Sequence, residues 1–123
     1  MDPSLPSPFA ERVLDLVETI PAGCVLAYGD IAELLAEGGP RQVGRVMALW
    51  GGAVPWWRVV RASGHPATGL EREALRHLRA EAAPLTAGGT RVDMSKGRWQ
   101  DAGTASGEPG TSGVSAGSAE MDP

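Results

Sequence analysis

Two consecutive tryptophans, Trp56 and Trp57, sit in the run Val54-Pro55-Trp56-Trp57-Arg58-Val59-Val60. An indole N–H is a poor nucleophile at neutral pH, whereas a thiolate is a good one. These rings can wall a pocket and pack against an apolar group, but they cannot take part in group transfer. The single cysteine, Cys24, lies elsewhere, in the apolar stretch Cys24-Val25-Leu26-Ala27, and reads as a small core residue. One cysteine excludes an intramolecular disulfide and a cysteine-based metal cluster. His65 and His77 are too widely separated to suggest zinc. No catalytic residue, metal or cofactor is therefore expected. Arg41 and Arg45 stand one helical turn apart, at the start of a candidate helix, and suit contact with a polyanion.

The net charge of −4 disguises this basic region. Residues 1–37 hold seven acids and Arg12, residues 38–98 hold ten bases and four acids, and residues 99–123 hold four acids and no base. The middle segment thus carries +6, and local potential governs phosphate binding more than total charge does. Arg72, Arg76 and Arg79 belong to it, either as part of a binding surface or as one solvated helix face. No apolar stretch is long enough to span a membrane, and no signal peptide is read. A lone thiol suits a reducing compartment such as the cytoplasm, with nucleoid association if the source is bacterial.

These groups need elements to position them. Phe9, Val13, Leu16, Val17 and Ile20 recur at helical spacing, predicting a helix over about residues 7–20, ended by Pro21-Ala22-Gly23. A second helix is expected from Gly29 to Glu37, with Ile31, Ala32, Leu34 and Leu35 inward. Gly38-Gly39 breaks it, and Pro40 suits the first turn of a third helix reaching Trp50 and burying Val43, Val46 and Met47. Two such helices joined by a glycine turn read as a helix-turn-helix. Val54–Val60 reads as extended, residues 62–69 as a loop, and Leu70–Ala83 as a fourth helix with Leu75 and Leu78 inward. Thr90–Trp99 is expected to add a strand and dock Trp99. The fold class is mainly α with short strands, a helix-turn-helix or winged-helix-like domain over residues 1–100. Residues 101–123, mostly Gly, Ser, Ala, Thr, Pro and acids, are expected to form a disordered acidic tail.

Four motifs in order resemble the DNA-binding domain of the O6-alkylguanine-DNA alkyltransferases. They are Ile20-Pro21-Ala22-Gly23 with Tyr28-Gly29-Asp30-Ile31-Ala32; Arg41-Gln42-Val43-Gly44 with Met47; Pro55-Trp56-Trp57-Arg58-Val59-Val60; and Ser63-Gly64 with Gly69-Leu70. The family carries Pro-Cys-His-Arg-Val in the third motif, and its Cys takes the alkyl group from damaged guanine. Here Trp56 stands at the Cys and Trp57 at the His. The pattern is similar to that of the alkyltransferase-like proteins, which have Trp at the nucleophile position.

The resemblance implies binding of O6-alkylguanine in duplex DNA from the minor groove. The nucleotide would be flipped, no alkyl group would be transferred, and another pathway would follow, nucleotide excision repair by the same resemblance. Tyr28, Met47, Trp56 and Val59 would form the lesion pocket, with the Trp56 and Val59 carbonyls accepting from the guanine amino group. Met47 is equally suited to filling the core. Arg41 would be the arginine finger that fills the vacated stack, a role a planar guanidinium can play. Gln42, Gly44, Arg45 and Ser63 would contact DNA, whereas Arg58 reads as structural. The acid of the family's proton relay would fall near Glu73 or Ala74. The loop His65–Thr68 has no lysine or arginine, although some alkyltransferase-like relatives use an Arg there. A monomer is expected. The competing reading is a winged-helix transcriptional regulator of undamaged DNA, which would require neither Trp56-Trp57 nor Arg41 at the helix start.

Overall fold

The computed structural model describes residues 5–100; the expected tail, residues 101–123, lies outside them. Helix α1 spans Pro8–Thr19. The Ser7 Oγ accepts from the Ala10 N–H at 3.1 Å, and Pro8 occupies the first turn, where an N–H would have no intrahelical partner. Ala10, Val13 and Val17 form its buried stripe. Strand β1 (Leu26–Ala27) leads directly into α2 (Tyr28–Leu35). The Asp30 carboxylate accepts from the Ala27 N–H at 2.9 Å and closes that junction. Ala36 adopts φ 56° and ends α2 before the expected Glu37. Of the residues expected inward, Leu34 faces solvent instead, because only Ile31, Ala32 and Leu35 turn toward α1 and α3.

Helix α3 spans Pro40–Trp50. Gln42 Oε1 accepts from the Gly39 N–H at 3.0 Å, fixing the turn from which the helix starts. Arg12 of α1 pairs with Glu37 and donates to the Leu35 carbonyl at 2.8 Å, tying α1 to the α2–α3 turn. Two short 3-10 turns, Gly51–Ala53 and Trp56–Arg58, precede β2 (Val59–Val60). The run 54–60 is therefore not extended throughout. The Arg58 N–H returns to the Pro55 carbonyl at 3.1 Å, and only the last two residues join a sheet.

Strand β2 pairs parallel to β1, with Leu26 opposite Val59 and Ala27 opposite Val60. Parallel strands need a crossover, and here the helix-turn-helix supplies it. Side chains alternate across this small sheet. Leu26 and Val59 enter the core with α1, α2 and α3; Val60 and neighbouring Val25 enter a second core with Leu75, Leu78 and Val92. Helix α4 (Glu71–Ala80) covers the second face. The segment expected to add a strand instead forms a short helix, α5 (Met94–Gly97), started by Asp93, whose carboxylate accepts from the Ser95 N–H and hydroxyl. Only isolated bridges, Val25 with Arg98 and Leu85 with Val92, are sheet-like there. Trp99 docks as expected: its N–H donates to the Val25 carbonyl at 2.8 Å, and it packs on the first core. Gly64 makes this closure possible. It has φ +94°, and a Cβ there would meet the Val92 carbonyl oxygen at 2.2 Å.

Candidate nucleic-acid interface

Helix α3 buries Val43 and Val46 and turns Arg41, Gly44, Arg45 and Ala48 outward or half outward. These four lie three and four positions apart and share one face. The face has two cations and little bulk between them, so a backbone of phosphates can approach it closely. Both arginines are exposed. The Gln42 side-chain oxygen is engaged at the start of α3, and the residue is exposed.

Beside this face lies a cavity of about 540 Å³, well within the range of small-molecule sites. Gly44, Met47, Ala48, Gly51 and Gly52 of α3 and the turn after it line it, with Ala67, Thr68 and Leu70 from the loop before α4; Tyr28, Trp56 and Glu73 complete the lining. The structure thus brings three of the four expected pocket residues together. Met47 is half-buried at the wall rather than fully in the core, and Gly51 lets it lie there, since a Cβ at that position would reach Met47 Cε at 3.0 Å. Val59 does not line the cavity: its side chain is buried in the first core. Its expected role concerned the carbonyl alone. The Trp56 carbonyl already accepts from the Val59 N–H, leaving one lone pair for another donor. Ser63 stands away from the cavity, exposed, with its Oγ 2.7 Å from His65 Nδ1. Cys24 is half-buried against the first core and lines none of this space.

Tyr28 begins α2 and is half-buried. Burial pushes its phenol pKa up, and the nearby Arg61 guanidinium opposes part of that rise, so the hydroxyl is a hydrogen-bond donor at neutral pH. Arg61 was not singled out by sequence. It lines a larger, shallower hollow of about 790 Å³ on the other side of Tyr28, with Gly39, Pro40 and Arg98. That hollow mixes charges of both signs, including the Arg98–Asp30 ion pair at 3.0 Å.

The second tryptophan faces a different environment. Trp57 stacks on His77 of α4, with centroids 3.9 Å apart and planes within 11°. Its Nε1–H donates to Glu81 Oε2 at 2.8 Å. Arg58 pairs with the same carboxylate at 2.6 Å and donates to the Ile20 carbonyl at 2.7 Å. The Gly23 N–H adds a further donor to Glu81 at 3.1 Å. Burial raises the Glu81 pKa, but hydrogen bonds from Arg58, Trp57 and Gly23 outweigh it, and the carboxyl sits below its ordinary value. Arg58 is structural, as its sequence context suggested. The acid that meets residue 57 is Glu81, neither Glu73 nor Ala74. Glu73 lines the cavity instead, and Ala74 is buried. The exposed arginines of α4 divide: Arg79 donates to the Gly89 carbonyl, Arg76 lies 3.6 Å from Glu73, and Arg72 is exposed with no hydrogen bond or ion pair among the described residues. No group of three or more His, Cys, Asp or Glu among the described residues could hold a metal ion.

Residues 8–83 match the family model of the 6-O-methylguanine DNA methyltransferase DNA-binding domain. The chain belongs to that family, as an alkyltransferase-like member. DNA base-flipping proteins of Escherichia coli K12 and Shigella flexneri are each 35% identical over 97 residues, covering 74% of this chain and 74% of theirs. The structure of S. pombe Atl1 in complex with damaged DNA containing O6-carboxymethylguanine superposes with a TM-score of 0.65 at 28% identity, covering 75% of this chain and 94% of that one. An S. pombe ATL structure in complex with DNA gives 0.64 at 27% identity over the same shares. This alkyltransferase-like chain thus has the fold of the family's DNA-binding domain.

Proposed function

We propose that this chain recognises O6-alkylguanine in duplex DNA by turning the nucleotide out of the helix into the cavity lined by Trp56, and leaves the alkyl group in place. The single observation that carries the reading is Trp56 in the wall of that cavity; the resemblance of its motif to Pro-Cys-His-Arg-Val assigns it the place of the family's nucleophile. An indole offers the alkyl group a flat apolar surface and no reactive lone pair. The relatives named as base-flipping proteins, and the one bound to damaged DNA, support the same reading. Arg41 fills the vacated stack and Arg45 holds a phosphate. Tyr28 donates its hydroxyl beside the extruded nucleotide. The protein acts as a monomer, and the marked complex passes to another repair route, nucleotide excision repair by family resemblance.

The test is a binding comparison between two duplexes that differ only by one O6-methyl group. The expected result is tighter binding to the methylated duplex, with the preference retained at higher salt while both affinities fall. Equal affinity for the two would favour a regulator of undamaged DNA.

A further inference from the structure

The cavity contains one charged side chain among its lining residues, and it is an acid. Glu73 stands on the first turn of α4 and lines the space together with Tyr28, Met47, Trp56, Thr68 and Leu70. No lysine, arginine or histidine lines it. Arg76, one turn along the same helix, pairs with Glu73 at a loose 3.6 Å and is itself 69% exposed, and Arg72 and Arg76 border an adjacent hollow that Glu73 shares, outside this cavity. Loop 65–68 contributes Ala67 and Thr68 to the lining and no cation. Apart from the Tyr28 and Thr68 side chains, which carry hydroxyls, the rest of the lining is apolar or glycine. A substituent on the base therefore meets a largely apolar slot whose one charged lining group is a carboxylate.

We propose that Glu73 sets adduct selectivity in this cavity: it disfavours O6 substituents that end in an anion and admits neutral substituents, favouring those that end in a hydrogen-bond donor. This rests on the lesion-binding reading above and deepens it. An ionised carboxylate only accepts hydrogen bonds. A hydroxyl or amide N–H at the end of a substituent satisfies it, whereas a second carboxylate repels it. Glu73 is 56% exposed, so water and salt screen the repulsion to about a three- to ten-fold effect on affinity, not an absolute block.

The test uses four duplexes of one sequence carrying guanine, O6-methylguanine, O6-carboxymethylguanine or O6-carbamoylmethylguanine. The last two match in size and differ in charge and in hydrogen-bond donors, so their affinity ratio reads the two parts of the proposed selectivity together. The native chain is expected to bind the carbamoylmethyl duplex about three- to ten-fold more tightly than the carboxymethyl one, with the ratio shrinking as salt rises. Glu73→Gln should bring the ratio to within about two-fold, and Arg76→Ala should widen it. A native ratio of one or less, or a ratio unchanged by Glu73→Gln, overturns the proposal while lesion binding stands. If none of the three adducts binds more tightly than guanine, the lesion-binding reading fails and this proposal fails with it.

Discussion

Trp56 and Trp57 are neighbours in one 3-10 turn, with rings 5.8 Å apart and nearly perpendicular, yet they belong to opposite kinds of environment. Trp57, though half-buried like Trp56, is anchored: His77 covers its face, Glu81 takes its N–H, and Arg58 lies 5.6 Å from its centroid, whereas Trp56 meets His77 only edge-on at 6.0 Å. Trp56 borders the cavity. The contrast shows how a family can keep the scaffold of a reactive site while removing its chemistry. On the proposed reading, in which motif resemblance sets Trp57 at the relay His and Trp56 at the nucleophile, the first position is rebuilt as structural anchoring and the second becomes a wall. If this division holds, substitutions around Trp57 move stability, and substitutions around Trp56 move lesion binding.

The largest expected effect is on the anchored side. Glu81→Ala strips partners from Arg58, the Trp57 indole and the Gly23 N–H at once. Arg58 and Glu81 are only 16% and 14% exposed, so the loss should be about 2–4 kcal/mol of unfolding free energy. Urea denaturation measures it. The lesion-to-undamaged affinity ratio of the folded fraction should change little, and a collapse of that ratio would show that the two regions are one functional unit.

On the open side, Trp56→Ala should weaken binding to an O6-methylguanine duplex by about 1–3 kcal/mol, the range for losing an aromatic partner of a base. Arg41→Ala should cost about 1–3 kcal/mol on damaged DNA. Arg45→Ala should weaken damaged and undamaged duplexes alike and reduce the salt slope by about one. Titrations at several salt concentrations separate the two arginines, and identical behaviour would reduce Arg41 to a phosphate contact.

Which parts of this arrangement could be read from residues follows from where the information is local. The three N-terminal helices have apolar stripes and Pro or Gly at their ends, so periodicity and capping place them. The turn at 56–58 is not legible, because an apolar run bounded by a proline fits an extended chain and a 3-10 turn equally. Helix α5 had a signal in Asp93 two residues before Ser95, a helix-start pattern. The partner of Trp57 could not be found by counting from Trp56. Three acids lie on or just after α4, Glu71, Glu73 and Glu81. Only the seating of that helix on β2 decides that Glu81 at its end meets residue 57 while Glu73 at its start meets the cavity. Arg61 was missed for the same reason: its nearness to Tyr28 is created by the β1–β2 pairing.

A smaller effect should appear with pH. The Glu81 carboxyl is depressed in the folded chain, so its contribution is fully present above the unfolded glutamate value of about 4.3 and is lost as pH falls through the folded value below that. Stability should drop on acidification in this window, and Glu81→Gln should flatten the drop. An unchanged pH profile in that variant would place the acid sensitivity elsewhere.

Restoring a nucleophile sharpens the comparison further. Trp56→Cys alone should give no efficient methyl transfer, because Trp57 cannot act as the base that lowers a thiol pKa. Adding Trp57→His beside Glu81 should permit slow transfer, followed with labelled methyl on duplex DNA. Fast transfer by the single variant would show that the anchored side has no part in keeping the chain unreactive.

The central claim, recognition without transfer, is tested most directly by following one label through one complex. The native protein is mixed at excess with a duplex whose single O6-methylguanine carries an isotopically labelled methyl group. The retarded complex is isolated, the protein and DNA are separated, and each is weighed. The account predicts that all the label remains on guanine and that the protein keeps its unmodified mass. A labelled methyl on the protein, on Cys24 or on any other residue, would contradict it.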